Sequence, residues 1–465
     1  MTDNSSTSQM STLTVFSSLA SKYNTWPQLK EWLQKNEPTI DIIESEDSAY
    51  AILRNSKDVN GEAAVAEDSV SELAQLCRSV VWDTENNLPC CVSPFAARRD
   101  QKIPSDATLR LEDFVEGVMV NVFRARGDSE TRITTRSKLD ADGTFYSERT
   151  FRELFEEAMD EKRTTLDAIE KLIGEPNNEV AATFITLVLA HPEHRVVRTV
   201  EKANFWAIYR GSVDNNGTVT FYTEDLPASW RPKTYSLTFK GEFADLKAKF
   251  EEIKQTKPWY WQGLVVHSGL QRWRFRNSKH DHVRRELRGT ESNPYGRFLR
   301  LRCQRRVQEY LRIYQEDTND FDNYEKDYRY ATNTLYRWYC KCHKEHSIAF
   351  KSLPKSVQPL VFDLHKFYLS TLRPENKKLH LAEVISWIYT YFTTQYGISN
   401  FVRFTRESEQ PPGPADRDST RQREVTSNGD GLRVTVYSDD SREEQDRGAT
   451  APLSPDRNAS VEQLV

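Results

Sequence analysis

Between Phe114 and Arg276 the apolar residues of this chain recur mainly at every second position, and past about residue 280 they recur at every third or fourth. The first period is that of strands with one buried face and the second that of amphipathic helices, so one chain must hold a β-rich body and a separate helical one. Val118, Val120 and Val122 alternate with Met119, Asn121 and Phe123, Arg126-Gly127-Asp128 supplies a turn, and Arg132 to Thr135 returns, which predicts a hairpin. Further strands are expected at 182–190, 205–209, 219–222, 263–267 and 272–276, preceded by strands within 39–54 and at 80–82. Helices are expected after Pro27, over 150–171 with Phe151, Leu154, Phe155 and Ala158 on one face, and at 297–316, 322–347, 354–372 and 380–395.

A chain of 465 residues with 37% hydrophobic content can build two or three cores. Its formal charge of −5 excludes a polyanion mimic and a basic nucleic-acid coat, so any nucleic-acid surface must be local. The first thirty residues lack a basic segment followed by an apolar one, and no run approaches eighteen apolar residues. The expectation is a soluble intracellular protein, cytoplasmic or nuclear, with the virion as a further place if the source is viral. Six scattered cysteines then read as free thiols, and Arg-Gly-Asp as a turn and not an integrin ligand. After Phe404 the composition collapses to Pro, Gly, Ser and charged residues. The expected division is a polar leader (1–12), an N-terminal α+β extension (13–69), an α+β, mostly antiparallel core (70–280), an all-helical domain (281–405) and a disordered tail (406–465).

Several short segments carry a resemblance. Arg78-Ser79 precedes the strand Val80-Val81-Trp82-Asp83, and Ser93-Pro94-Phe95-Ala96-Ala97 follows it. Phe114-Val115-Glu116-Gly117 then enters a strand, with Thr135-Arg136-Ser137-Lys138 some eighteen residues on. A stretch from Phe184 ends in His191-Pro192-Glu193-His194-Arg195-Val196-Val197, and Gln262-Gly263-Leu264-Val265-Val266 and Arg272-Trp273-Arg274-Phe275-Arg276 close the series. In order and spacing these resemble the motifs of the covalent nucleotidyltransferase superfamily, nearest to phage-type RNA ligases and the ligase-like proteins of large DNA viruses, over about two hundred residues. The resemblance implies a ligase-like nucleotidyltransferase core and a nucleotide or phosphate site at Arg78, Glu116, Arg136, Lys138, Arg195, Arg274 and Arg276. ATP or GTP with Mg is the cofactor that it brings to mind.

Three positions depart from the family's pattern. The nucleophilic lysine, which must attack an α-phosphate through its amine, is replaced by Phe114. Val188 and Gln262 stand where the family carries carboxylates, the second of which helps hold a metal. A degenerate homologue that binds nucleotide or RNA without covalent catalysis, a pseudoenzyme with no catalytic residue and no metal site, is therefore the leading expectation. Two others stand beside it: a divergent active ligase recruiting Lys102 or Lys138, and a structural or scaffolding protein of a large DNA virus.

Arg272, Arg274 and Arg276 alternate with Trp273 and Phe275, so a strand places three guanidinium groups on one face. Between Arg272 and Arg306 twelve Lys or Arg stand against three Asp or Glu. With Trp273, Phe275, Tyr295 and Phe298 interleaved, this composition suits a groove that tracks an RNA backbone, contacted by Arg272, Lys279, Arg284, Arg285 and Arg288. The other reading is an amphipathic strand with a solvated basic face. Cys340, Cys342, His343 and His346 offer zinc-type ligands, but on a helix the two cysteines point about 200° apart, which favours structural thiols and surface histidines. The tyrosines from Tyr310 to Tyr339 fit core and half-buried ridge positions.

Overall fold

The computed structural model describes residues 10–56, 71–95, 97–98, 109–222, 225–236, 243–289, 291 and 293–408. Packing divides the chain into two compact units, Met1–Asp317 and Thr318–Val465.

The first unit opens with β1 (Met10–Leu13), α1 (Val15–Lys22) and α2 (Trp26–Asn36), in which Pro27 occupies the first turn, where its missing N–H leaves no bond unmade. Next come β2 (Ile40–Glu44), β3 (Tyr50–Asn55), α3 (Glu72–Leu76), β4 (Val80–Asp83) and β5 (Leu88–Val92). β6 (Arg110–Asp113) leads into the hairpin of β7 (Val118–Ala125) and β8 (Arg132–Thr135). α4 (Phe151–Glu161) starts at a capping box, in which Thr150 and Glu153 satisfy each other's backbone N–H groups. α5 (Leu166–Ile173), β9 (Val180–Ala190), β10 (Asn204–Asp214) and β11 (Val219–Tyr222) follow. The unit closes with β12 (Thr234–Tyr235), α6 (Phe243–Gln255), β13 (Gly263–Ser268), β14 (Gln271–Arg276), α7 (Ser278–His282), α8 (Pro294–Cys303) and α9 (Val307–Leu311).

Among the described residues the strands form three sheets, ordered β1-β11-β10-β9-β7-β8, β12-β6-β13-β14 and β2-β3-β4-β5, with antiparallel ladders. The period-two alternation divides the six-stranded sheet cleanly. Val120, Val122, Ile185 and Leu187 pack under α4 and α5 with Phe155 and Ile169, while Phe123, Ala125 and Phe184 point the other way, into the core that holds Trp82 and Phe221. A third core gathers Leu246 and Phe250 of α6 with Leu264, Val266 and Trp273.

The fold is mixed α and β with antiparallel sheets, and several boundaries differ from expectation. Residues 10–12, assigned to a polar leader, belong to β1 and pair with β11. The single helix expected over 150–171 is two, because Arg163 takes a left-handed backbone (φ 54°) that no helix can continue through. Arg305 (φ 59°) divides α8 from α9 in the same way. Residues 281–317, expected in the helical domain, fall in the first unit. Their attachments explain it: Tyr314 donates its hydroxyl to the Val196 carbonyl at 2.5 Å, and Arg195 reaches the Ile313 carbonyl at 3.1 Å.

The second unit is helical among the described residues, with α10 (Thr318–Tyr339), α11 (Val357–Phe367), α12 (Leu381–Tyr391) and α13 (Gln395–Ser408). Tyr328, Leu335, Leu360, Leu364, Ile388 and Phe401 are buried in it. The tail was expected over 406–465; residues 406–408 belong instead to α13, and 409–465 lie outside the described residues. Among the described residues no helix is long and apolar enough to cross a membrane.

A half-buried arginine cluster as candidate anion site

β14 pairs with β13 so that Arg272, Arg274 and Arg276 stand opposite His267, Val265 and Gly263. Strand alternation sends the intervening Trp273 and Phe275 the other way. Trp273 is buried, and Phe275 stacks on Phe243 at 5.4 Å and lies 5.7 Å from Phe250 of α6. The aromatic side is thus committed to the core, and the three arginines form a half-buried face.

Two further arginines join them from distant parts of the chain. Arg78 lies at the entry to β4, and burial followed by the charges of Arg136, Arg272, Arg274 and Arg276 pushes its pKa down to about 9. Arg136, just past β8, is lowered to about 10 by burial and by Arg54. It is held in place by its own bonds, donating to the Arg78 carbonyl at 2.9 Å and to the Asn55 side chain at 2.7 Å. The neighbouring Arg54 donates to Ser137 at 2.6 Å. Arg272 and Arg276 are likewise depressed, chiefly by burial.

Among the described residues the carboxylates nearby are shared between bases. Asp281 binds Arg276 at 2.6 Å, Arg285 at 2.9 Å and Arg284 at 3.5 Å, and these charges outweigh burial to hold its carboxyl below the usual range. Glu112 is divided between Arg110 at 2.9 Å and His267 at 3.1 Å, and Asp41 serves Arg54 at 3.3 Å. Among the described residues no side chain accepts a hydrogen bond from the Arg78 guanidinium. Beside it the buried Ser79 hydroxyl and the Nε–H groups of Arg272 and Arg276 also lack a hydrogen-bond partner there. Buried donors without acceptors are costly, and here they lie in a field of like charge.

A second group of sequence-selected residues adjoins this cluster. The Phe114 N–H donates to the Gly263 carbonyl at 2.9 Å, and the Arg276 guanidinium lies over the Phe114 ring at 5.4 Å. Gly117 passes so close to β9 that a Cβ there would lie 2.1 Å from the Leu189 carbonyl oxygen and 2.9 Å from a methyl of Val188. Phe114 is thereby bonded to the residue after Gln262, and Gly117, three residues after Phe114, lies against Val188. Glu116 is fully occupied: one oxygen accepts from the backbone N–H groups of Val197 (2.9 Å) and Arg198 (3.0 Å), and the other meets Nε2 of the buried His280.

The remaining expected site residues lie elsewhere or are engaged in internal bonds. Arg195 donates to Glu316 at 2.5 Å and stacks over Tyr314 at 4.7 Å. Lys138 is exposed and sits 3.8 Å from Asp142. Arg288 is buried, donates to the Tyr310 hydroxyl at 2.7 Å and stands over the Tyr146 ring at 4.2 Å. Lys279 is exposed on α7, while Arg284 and Arg285 meet Asp281 as above. Much of the basic run from 272 to 306 is therefore internal: Arg297 is buried, Arg300 binds Glu291 and two carbonyls, and Arg306 binds Glu286 and Glu309. Tyr295 and Phe298, expected as stacking partners for bases, are buried and stack on each other. Lys102 lies outside the described residues.

Sequence reasoning missed the supports. Asn121 is buried where β7, β8 and β9 meet, accepting from Ser93 at 3.1 Å and Thr186 at 2.9 Å and reaching Thr134 at 3.5 Å. The one available signal was a polar residue on the apolar-period face of an otherwise hydrophobic strand. Asp281, the carboxylate shared by three arginines, could have been flagged as one of three acids in a basic run. In the second unit His343 stacks on His365 at 3.7 Å, and among the described residues no three His, Cys, Asp or Glu come together as a metal site. Comparison with protein-family models finds no match for this chain, and comparison with curated proteins finds no significant relative.

Proposed function

We propose that this chain is a degenerate ligase-like nucleotidyltransferase that binds RNA through its phosphates and forms no covalent intermediate. The observation that carries the reading is Arg78, a half-buried guanidinium that has no acceptor among the described residues and is ringed by Arg136, Arg272, Arg274 and Arg276. Arginine stays charged, and its planar fork matches phosphate oxygens. A bound phosphate supplies acceptors for the donors that lack one among the described residues, the Ser79 hydroxyl and the Nε–H groups of Arg272 and Arg276. The absence of covalent chemistry rests on Phe114, which offers no amine, and on Val188 and Gln262, which offer no charge.

Anisotropy titration of labelled single-stranded RNA over a range of salt concentrations tests this. The wild-type affinity should fall linearly on a log–log plot, and replacing Arg272, Arg274 and Arg276 together by Gln should lower the slope by about 2 to 3 units, at about 0.7–0.9 per phosphate contact. Equal affinity and slope for the two proteins would leave the arginines as a solvated face and favour a scaffolding role.

A further inference from the structure

The sheet that carries the arginines at β14 has β12 at its far edge. We infer that β12 and the turn that follows α6 form a stacking platform for single-stranded RNA, a binding surface that shares no residue with the arginine cluster and goes beyond the reading above.

Sheet register puts the two surfaces on opposite faces. Tyr235 of β12 stands across from Leu111, Leu111 from Val266, and Val266 from Trp273, and residues directly opposite in a ladder share a face. Tyr235 therefore lies on the side that α6 covers with Leu246 and Phe250. Arg272, Arg274 and Arg276 alternate with Trp273 and Phe275 and point the other way.

The rings of the platform are held from behind. The Trp261 N–H donates to the Pro258 carbonyl at 3.0 Å, closing a four-residue turn with Trp259 and Tyr260 at its corners. Asn277 pins that turn by donating its side-chain amide to the Trp259 carbonyl at 3.0 Å. Tyr260 is 40% exposed and Trp259 half-buried, with their rings 5.7 Å apart, edge to face. The Tyr235 hydroxyl and the buried Trp261 indole both donate to one oxygen of Asp113, at 2.7 and 2.9 Å, so these two rings are anchored by their polar ends. Ammonium groups reach Tyr235 from two segments: Lys233 Nζ lies 5.4 Å and Lys257 Nζ 5.5 Å from the ring centre, and Lys257 is also 5.8 Å from the Trp261 ring.

Each nucleotide of an unpaired strand offers a flat base and one phosphate charge, and this surface sets exposed rings beside ammonium groups. Stacking combined with charge neutralisation holds single strands with little regard to sequence. A duplex keeps its base faces inside the stack, and an acidic peptide would engage the two lysines alone.

The probe is a fluorescently labelled, unstructured oligouridine, titrated by anisotropy into the full chain over a salt series. W259A with Y260A should weaken binding about tenfold and leave the salt slope unchanged, since stacking releases no counter-ions. K233Q with K257Q should lower the slope by about 1 to 2 units. All four side chains reach the surface; circular dichroism checks the fold, and Y260A alone is the milder variant if W259A unfolds the chain. The same losses should appear in the background R272Q/R274Q/R276Q, where the single strand should compete at least tenfold better than its duplex. Affinity and slope unchanged by both pairs, or a duplex that competes equally, overturns the inference; if the arginine variant still lowers the slope, the reading of the arginine cluster stands without it. Losses confined to the platform variants keep this surface and remove the arginine cluster. A loss in K233Q with K257Q only, reproduced when polyglutamate replaces RNA, marks a dock for an acidic protein and overturns the inference as well.

Discussion

Replacing Arg78 by Gln should make the empty protein more stable while weakening its affinity for phosphate. The guanidinium is held at a pKa of about 9 against an ordinary 12.5 by burial and four like charges. At about 1.4 kcal/mol per tenfold, that difference sets a ceiling of about 5 kcal/mol on the cost of keeping the charge there. Water and counter-ions reaching a half-buried group reduce it to about 1–2 kcal/mol. Because the folded value lies below the unfolded one, the cost is present at every pH below about 9, neutral pH included, and would be relieved only as pH rises through that value. Urea denaturation of the first unit reads the effect: with a slope of about 3 kcal/mol per molar, R78Q should raise the midpoint by about 0.3–0.7 M. The gain should shrink in high salt. RNA at about a hundred times its Kd should stabilise the wild type by about 2.7 kcal/mol and R78Q by less. The Arg136 bond to the residue 78 carbonyl survives the substitution, so a lower midpoint in R78Q would mean that the side chain is structural glue, and the reasoning from uncompensated charge would be refuted.

Other expectations follow from the same geometry. G117A should lose about 2–4 kcal/mol in the same urea assay, since the added Cβ meets a backbone carbonyl at 2.1 Å that cannot step aside. E116A orphans the Val197 and Arg198 N–H groups and should lose about 2–4 kcal/mol, with E116Q losing less because one amide oxygen still accepts. F114K should yield no labelled band on a denaturing gel after incubation with radiolabelled ATP or GTP and magnesium; a covalent adduct would show that Val188 and Gln262 matter less than argued. His194 has its pKa lowered to about 4 by burial and then by Arg288. Its folded value lies below the unfolded value of about 6.5, so stability is fully present above pH 6.5 and falls by up to about 3 kcal/mol as pH drops to about 4. H194Q should flatten that acid limb of the stability–pH curve.

What the sequence made legible was periodicity, and what it hid was partnership. The strand at Arg272–Arg276 and the hairpin from Val118 to Thr135 could be read because alternation of apolar residues follows from the pleat alone. The splits at Arg163 and Arg305 could not, since a left-handed residue other than glycine leaves no mark in an amphipathic pattern. Arg78, Arg136 and the β14 arginines were each singled out, and the fold brings them together. Arg195 and Arg288 were singled out by the same reasoning, yet Glu316, Tyr310 and the Tyr146 ring engage them. A basic residue's chemistry is visible in one letter, whereas the group that engages it can lie 22 positions away, as Tyr310 does from Arg288, or 121, as Glu316 does from Arg195.

The buried contacts of Asn121 bear on the order in which this protein can be made. Ser93, Asn121, Thr134 and Thr186 belong to segments that meet only when β7, β8 and β9 are assembled, with 28 residues between the first pair and 65 between Asn121 and Thr186. Contacts of such long sequence separation form late and slow the search for the native state. On a ribosome the arginines at 78 and 136 emerge well before β9 and β14, so the five guanidinium groups stay dispersed, their mutual repulsion unexpressed, until most of the first unit has been synthesised. Anion affinity should therefore switch on only once β14 has joined its own four-stranded sheet, and a chain truncated before β14 should lack it.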